Sequence, residues 1–356
     1  MSSAILDSSD PETGERPESV SNTLTPAVEE ITPAFWHGGL LAAIAWGLLT
    51  SLMIVWPDKV IGFTRPLYVS QTNELAAIIA VFFLVLTLGE RLPLAHYILA
   101  PLTRYLRPGA KWFIALAIFA AVWEISTAKL AWLPAPFFAP PNALFEVYAT
   151  DWYRLGDSVL HSLRLLFFGY LFGSLGGFLT GISIGWSRGL GYWFHPILRF
   201  LGPVPSTALL PLALYFFPSS FSAAIFLIGL ATWFPVTVLT WSGVASVDTS
   251  YYDVARTLGA KSSFLILHVA IPAALPHVFV GLFMGLGASF SVLVAAEMMG
   301  VKSGLGWYLQ WAQGWAAYSN MYGALIIMAI LFSTLITVLF SVRDRLLAWQ
   351  SGAVKW

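Results

Sequence analysis

The chain returns repeatedly to apolar runs long enough to cross a bilayer, and no water-soluble fold can bury that many of them. Such runs fall at 35–56, 75–99, 112–133, 160–186, 221–243, 273–297 and 320–341, with a shorter one at 204–217. A helix needs about 20 apolar residues to span the hydrocarbon core of a bilayer. The pattern therefore predicts an all-α polytopic membrane protein with about eight transmembrane helices. Charge agrees: 10% of residues are Asp, Glu, Lys or Arg, against about 25% in soluble domains. Lipid must solvate most of this surface.

Two runs are irregular. The 75–99 run is interrupted by Glu90-Arg91 and Pro93, which predicts a kinked or shortened span. The 204–217 run is flanked and broken by Pro203, Pro205, Pro211 and Pro218. It reads as a short or tilted helix buried among its neighbours, because broken backbone is tolerated at membrane depth only inside a bundle.

The 160–186 run carries GYLFGSLGGFLTGISIG, with Gly169, Gly173, Gly177, Gly181 and Gly185 each four residues apart. Each glycine costs a helix about 1 kcal/mol relative to alanine. Positions four apart advance by 400°, so the row drifts about 40° per step and forms a slanted groove. A neighbouring backbone can approach closely along such a groove. A phosphate-cradling loop is the competing reading, but its donors would have to lie outside the membrane. Gly281 and Gly285 repeat the device on the 273–297 run and are the first candidate partner.

Residues 1–34 differ from the rest. They are rich in Ser, Thr, Pro and Glu, and Arg16 is their one base. They predict a disordered acidic tail. Without a basic n-region this tail is no signal peptide, so the first run is expected to stay as an anchor. If the N-terminus is cytoplasmic, so are Arg16, Arg91, Arg104, Arg107, Lys111, Arg188, Arg199, Arg256, Lys261, Arg343, Arg345 and Lys355. Lys59, Arg65, Lys129, Arg154, Arg164 and Lys302 fall on the other side. The bias predicts both termini inside and a cytoplasmic 244–272 loop.

Several chemistries are excluded by what is missing. There is no cysteine, hence no disulfide or thiolate metal site. The formal net charge is zero, which argues against a nucleic-acid partner. Neither GAKSS at 259–263 nor GVKSG at 300–304 is a phosphate-binding loop, because Gly and Lys are not adjacent. ATP hydrolysis by this chain alone is therefore not expected. No H-E-x-x-H or G-x-S-x-G occurs, and His37, His96, His161, His195, His268 and His277 are scattered. No catalytic residue and no metal site are expected.

Two acids fall in spans, Glu124 in AVWEIS and Glu297 in VAAEMM. Intramembrane charge is costly, so each is read either as a packing hydrogen bond or as a pathway or gate residue. Trp307, Tyr308, Trp311 and Trp315 sit at helical spacing within 298–319. They predict an interfacial helix on the outer face, with a ligand-stacking surface as the alternative.

The 244–272 loop begins as a helix. Asp248 or Thr249/Ser250 caps Tyr251–Leu258, Gly259 suits a left-handed stop, and Pro272 and Pro276 lead into the next span. Ala255 and Leu258 share one side of this helix. An exposed helical knob of small residues suits a partner's groove.

Residues 253–272, DVARTLGAKSSFLILHVAIP, resemble the E-A-A-x3-G-x9-I-x-L-P signature of ABC importer permeases. Asp253 takes the Glu place and Val254 the first Ala. Ala255, Gly259 and Pro272 match, and Val269 and Ile271 replace Ile and Leu. HSLRLLFFGYLFGSLGGFLTGISIGWSRGL, LRFLGPVPSTALLPLALYFF and AALPHVFVGLFMGLGASFSVLVAAEMMG are similar to the nitrate/sulfonate/taurine/bicarbonate-type subfamily. The resemblance implies a six-helix, type I-like permease core over 101–356, preceded by an extra transmembrane hairpin over 35–100. It implies a bacterial inner-membrane location, a second permease subunit (a homodimer) and an extracytoplasmic solute-binding protein. It also implies a separate cytoplasmic ATPase that binds ATP-Mg, so this chain carries no cofactor. Asp253, Ala255, Arg256, Leu258, Gly259, Ala260 and Pro272 would form the ATPase-coupling element. The expected function is import of a small oxyanion or sulfonate-like solute (nitrate, bicarbonate, taurine or alkanesulfonate) by alternating access. The rival is an ion-coupled secondary transporter or channel using Glu124 and Glu297.

Overall fold

A computed structural model describes residues 35–59, 68–91, 93–133, 136–202 and 204–350. The acidic-tail reading of 1–34 lies outside them, as do Arg65 and Lys355. In chain order the first helices are α1 His37–Val55, α2 Val69–Gly89, α3 Pro93–Leu106, α4 Ala110–Glu124, α5 Pro141–Thr150, α6 Trp152–Trp186 and α7 Arg188–Leu201. There follow α8 Leu210–Phe216, α9 Ser220–Ala245, α10 Thr249–Thr257, α11 Ser262–Phe264, α12 Ile271–Met299, α13 Leu305–Gly314 and α14 Tyr318–Leu346. A π-helical turn over Ile125–Lys129 extends α4, and another over Leu265–Ala270 joins α11 to α12. The described residues contain no strand. Among the described residues seven helical stretches are long and apolar enough to cross a membrane, eight if the bent pair α7–α8 forms one span.

The glycine groove of α6 is filled by α9. A methyl group added at Gly169, Gly173, Gly177, Gly181 or Gly185 would run into Ile228, Thr232, Val236, Thr240 or Val244 respectively. These α9 residues are themselves four apart and all β-branched. Between them, the carbonyl oxygens of Ile225, Gly229, Trp233, Thr237 and Trp241 form a second row facing the groove. At Gly177 an added Cβ would lie 2.8 Å from both the Trp233 oxygen and the Val236 Cβ. No side chain fits there. Glycine Cα–H groups set against carbonyls add about 0.5–1 kcal/mol each, beyond the dispersion gained by close backbone packing.

Gly281 and Gly285 do not meet this ladder. They press on another side of α9, Gly281 against Pro235, Val236 and Leu239, and Gly285 against Thr232. Facing two grooves together would leave a void, whereas the short branched side chains of α9 fill both. Thr232 and Val236 are thus held between glycines of α6 and of α12. The Thr232 hydroxyl adds bonds to the Ile228 carbonyl at 2.9 Å and to Ser289 Oγ at 2.5 Å.

The order of these contacts sets direction. Residue numbers rise together on α6 and α9, so the two run parallel, while α12 runs antiparallel to α9. A parallel pair demands a return crossing between Trp186 and Ser220. The segment α7–α8 supplies it, with a bend of 87°. His195 packs edge-on against Trp241 (4.4 Å between centroids), Gly202 abuts Phe234, and Phe217 packs on Phe226 (4.9 Å). Rising numbers against falling ones trace a path back along α9. The crossing therefore begins well before the expected 204–217 run, because Arg188 and Arg199 hide α7 from a hydropathy reading.

A further expectation changes. The second span ends at Gly89, where Glu90 accepts two 3.0 Å bonds from Arg107, and α3 is a separate helix leading into α4. Helix α13 does not lie free on the bundle: Leu305, Gly306, Tyr308 and Ala312 are buried as it lodges among α6, α12 and α14. Tyr308 can be buried because its hydroxyl donates to Asp151 Oδ2 (2.7 Å) and accepts from Asn320 Nδ2 (2.6 Å). Trp315 alone of the four aromatics remains largely exposed.

Helices α1 and α2 pair antiparallel and pack on α4, and the Trp46 indole donates to the Phe113 carbonyl at 3.2 Å.

Substitution of Gly177 should separate α6 from α9. Gly177→Ala is expected to cost about 1–3 kcal/mol by overpacking, and Gly177→Leu more. Gly176→Ala meets only Trp233 at 3.4 Å and should be neutral or slightly stabilising. Thermal unfolding of the detergent-solubilised protein distinguishes the three.

Candidate functional site

Helix α10 projects from the end of the bundle where α6 and α9 finish and α12 begins. Its start is fixed by Asp248, whose carboxylate accepts the Ser250 N–H at 2.8 Å. That amide and the Ser250 side chain hold the Asp248 carboxyl below its usual range. Its end is a Schellman turn: Gly259 N–H donates to the Arg256 carbonyl (2.9 Å) and Ala260 N–H to the Ala255 carbonyl (3.0 Å). Gly259 has φ +83°, and no atom lies within 4 Å of where its Cβ would be. Backbone conformation, not space, demands glycine here.

One face of α10 is anchored and another is bare. Tyr252 packs edge-on against Trp186 (5.9 Å) and joins the cluster of Val244, Ala270 and Ala274. Tyr251, Val254 and Leu258 are 64%, 61% and 83% exposed, and their spacing places them on one helical face. Arg256 pairs with Asp253 at 3.3 Å, both exposed, a contact of little value to stability. The structure thus gathers Asp253, Ala255, Arg256, Leu258, Gly259 and Ala260 on one short rigid element. Pro272 stands apart in the first turn of α12, beyond the π-helical turn that packs on α10. Tyr251 and the Tyr252–Trp186 anchor were not singled out from sequence. The i, i+3, i+7 apolar spacing in an otherwise polar helix is the signal that reveals the bare face.

The two intramembrane acids lie in separate clusters. Glu297 is 1% exposed, with Oε1 accepting from Ser162 Oγ (2.6 Å) and Oε2 from the Gly306 N–H (2.7 Å). Glu124 is equally buried, on the α1–α2–α4 side, 3.6 Å from Lys129. Lys129, read from sequence as lying near a span end, is buried. Its Nζ donates to the carbonyls of Met53 (3.2 Å) and Trp56 (2.6 Å) and to Asp58 (2.5 Å). It therefore satisfies carbonyls that the end of α1 leaves open. Among the described residues no group of His, Asp and Glu could hold a metal ion. A cleft of about 400 Å³ opens at the α7–α8 break, where Ser206, Thr207, Trp233 and Phe234 line it without a charged side chain.

The described residues thus form a multi-pass helical bundle with a capped, apolar-faced helix projecting from one end. Residues 173–350 match the family model of the binding-protein-dependent transport system inner membrane component. The chain is 30% identical to the nitrate import permease protein NrtB of Synechococcus elongatus, covering 70% of this chain and 91% of that one. It is 32% identical to the taurine transport system permease protein TauC of Escherichia coli, covering 66% and 88% respectively. A chain of the MetNI methionine ABC transporter in an inward-facing conformation aligns at 16% identity and a TM-score of 0.46, over 55% of this chain and 96% of that one. The chain belongs to the family of binding-protein-dependent transport inner-membrane components, the ABC importer permeases.

Helix α10 should depend on its caps more than the bundle does. Gly259→Ala forces alanine into the left-handed region at about 1–2 kcal/mol, and should raise hydrogen exchange across 250–258 without lowering the melting temperature of the bundle. Because the Asp248 pKa is lowered on folding, its capping contribution is present at neutral pH. It should fade as pH falls through that depressed range, visible as faster pH-corrected exchange in the same segment.

Proposed function

We propose that the chain is the permease subunit of an ATP-driven importer that carries a small oxyanion or sulfonate-like solute, of the nitrate, bicarbonate, taurine or alkanesulfonate class, into the cytoplasm. The observation that carries this reading is the exposed apolar face of α10 on a helix capped at both ends. A separate ATPase subunit, which binds ATP-Mg, would receive that face in a surface groove. Two permease copies would line the path, with one ATPase beneath each and a solute-binding protein on the opposite side. Closure of the ATPases would push α10 and shift the bundle between inward-open and outward-open states. Such a shift needs a rigid element with different contacts in the two states, and α10 has the build for it.

Orientation follows from charge. Arg188, Arg256 and Lys261 lie around the α10 end, and Arg343 and Arg345 close α14, which runs antiparallel to α12 through the Phe283–Phe340 and Phe290–Phe332 stacks. By the positive-inside rule that end is cytoplasmic and the α13 end extracytoplasmic, with both termini inside. The substrate class rests on the relatives named for nitrate and taurine. The uncharged cleft with its Ser206 and Thr207 hydroxyls suits a small polar solute released by a binding protein. The α1–α2 hairpin is an addition on the flank of the permease core. The ion-coupled rival is not favoured, since both oxygens of Glu297 are occupied and Glu124 lies beside α1, away from the α6–α9–α12 core.

Purification in mild detergent from the native membrane should bring down an ATPase bearing a phosphate-binding loop. Gly259→Asp should leave membrane insertion intact, abolish uptake and uncouple ATP hydrolysis. Normal uptake by that variant would count heavily against α10 as the coupling element.

A further inference from the structure

The carboxylate of Glu297 closes on the start of α13 from within the last turn of α12. Besides the Gly306 N–H and the Ser162 hydroxyl, the Leu305 N–H reaches the cluster by donating to Ser162 Oγ at 2.9 Å. The first two amides of α13 are therefore held by a pair of side chains from α12 and α6, in the manner of an N-cap. Gly304, at φ +103°, makes the approach possible, because a Cβ there would overlap the Glu297 carboxylate itself. At Gly306 a Cβ would lie 2.8 Å from the Glu297 Cβ and 2.7 Å from the Val294 carbonyl oxygen. So much precision around one buried acid is more than a transmembrane helix needs merely to end.

The other end of α12 explains the arrangement. Ala270 and Ala274 are buried with Tyr252, the residue that anchors α10. From there α12 runs 29 residues to Met299, about 43 Å at 1.5 Å per residue, with Glu297 in its final turn. A shift imposed on α10 thus has a continuous helix along which to travel. At the far end α13 is fastened twice, to α12 through Glu297 and to α6 and α14 through the Tyr308–Asp151–Asn320 network.

Resting on the importer reading, we infer that Glu297 is a positioning residue: it makes α13 move as one piece with α12, so that displacement of α10 on one side of the membrane repositions α13 on the other. The carboxylate acts as a fastener.

The test uses the permease–ATPase complex in nanodiscs, reading ATP hydrolysis with and without solute-loaded binding protein. Glu297→Ala should cut the stimulation by binding protein about tenfold, within the usual range of coupling between sites, while basal hydrolysis stays near wild type; the melting temperature should fall, because the buried Gly306 N–H and Ser162 hydroxyl lose their acceptor. Glu297→Gln, which keeps an acceptor for Gly306, should fall between in stimulation and recover most of the melting temperature. Full stimulation of Glu297→Ala would overturn the proposal, as would a fall of basal hydrolysis in parallel with stimulation in both variants. Stimulation of the wild-type complex reports separately on the importer reading.

Discussion

Everything in the bundle is arranged around the contact between α6 and α9. Five glycines on one helix and five β-branched residues on the other bring two backbones together over about 24 Å, taking sixteen residues at 1.5 Å each. Neither row alone would stabilise anything: the glycines weaken α6, and the branched residues of α9 are ordinary. Together they let carbonyls, Cα–H groups and short side chains interlock with no void. In a bilayer, where lipid removes the hydrophobic drive for helices to associate, such packing is what holds helices together.

The topology follows from that contact. A parallel α6–α9 pair forces the chain back across between them, and α7–α8 does so as a broken element that opens the cleft at Ser206 and Thr207. The second glycine pair, Gly281 and Gly285, adds α12 antiparallel on another side of α9, which leaves α9 as the central helix. Helix α12 then links the base of α10 to the buried cluster at Glu297. Close packing in the centre thus joins the bare face of α10 at one end to α13 at the other.

Local signals were legible in the sequence and distant ones were not. Both caps of α10 could be read directly, because Asp248 and Gly259 act within a few residues of themselves. The glycine ladder can be read as a groove, but pairing glycine with glycine points to Gly281 and Gly285 rather than to α9. The row Ile228, Thr232, Val236, Thr240 and Val244 stands in the sequence at the same spacing and would have identified α9. The aromatic stripe of α13 is visible as a stripe, but hydropathy cannot see that Tyr308 finds Asp151 more than 150 residues upstream. Lys129 was hidden for the same reason, its partners Met53, Trp56 and Asp58 being more than 70 residues away. Buried polar groups in a membrane protein are paired, but the pairing is tertiary and leaves no periodic trace.

The most direct test of the functional claim uses a photo-crosslinking residue placed singly on the chain in native membranes. Leu258, on the bare face of α10, and Trp315, exposed beyond α13, sit at opposite ends of the bundle. The predicted result is a covalent adduct to an ATPase subunit from position 258 and none from position 315. An ATPase adduct from 315, or its absence from 258 in a complex active in transport, would contradict the assignment of α10 as the surface through which this permease is driven.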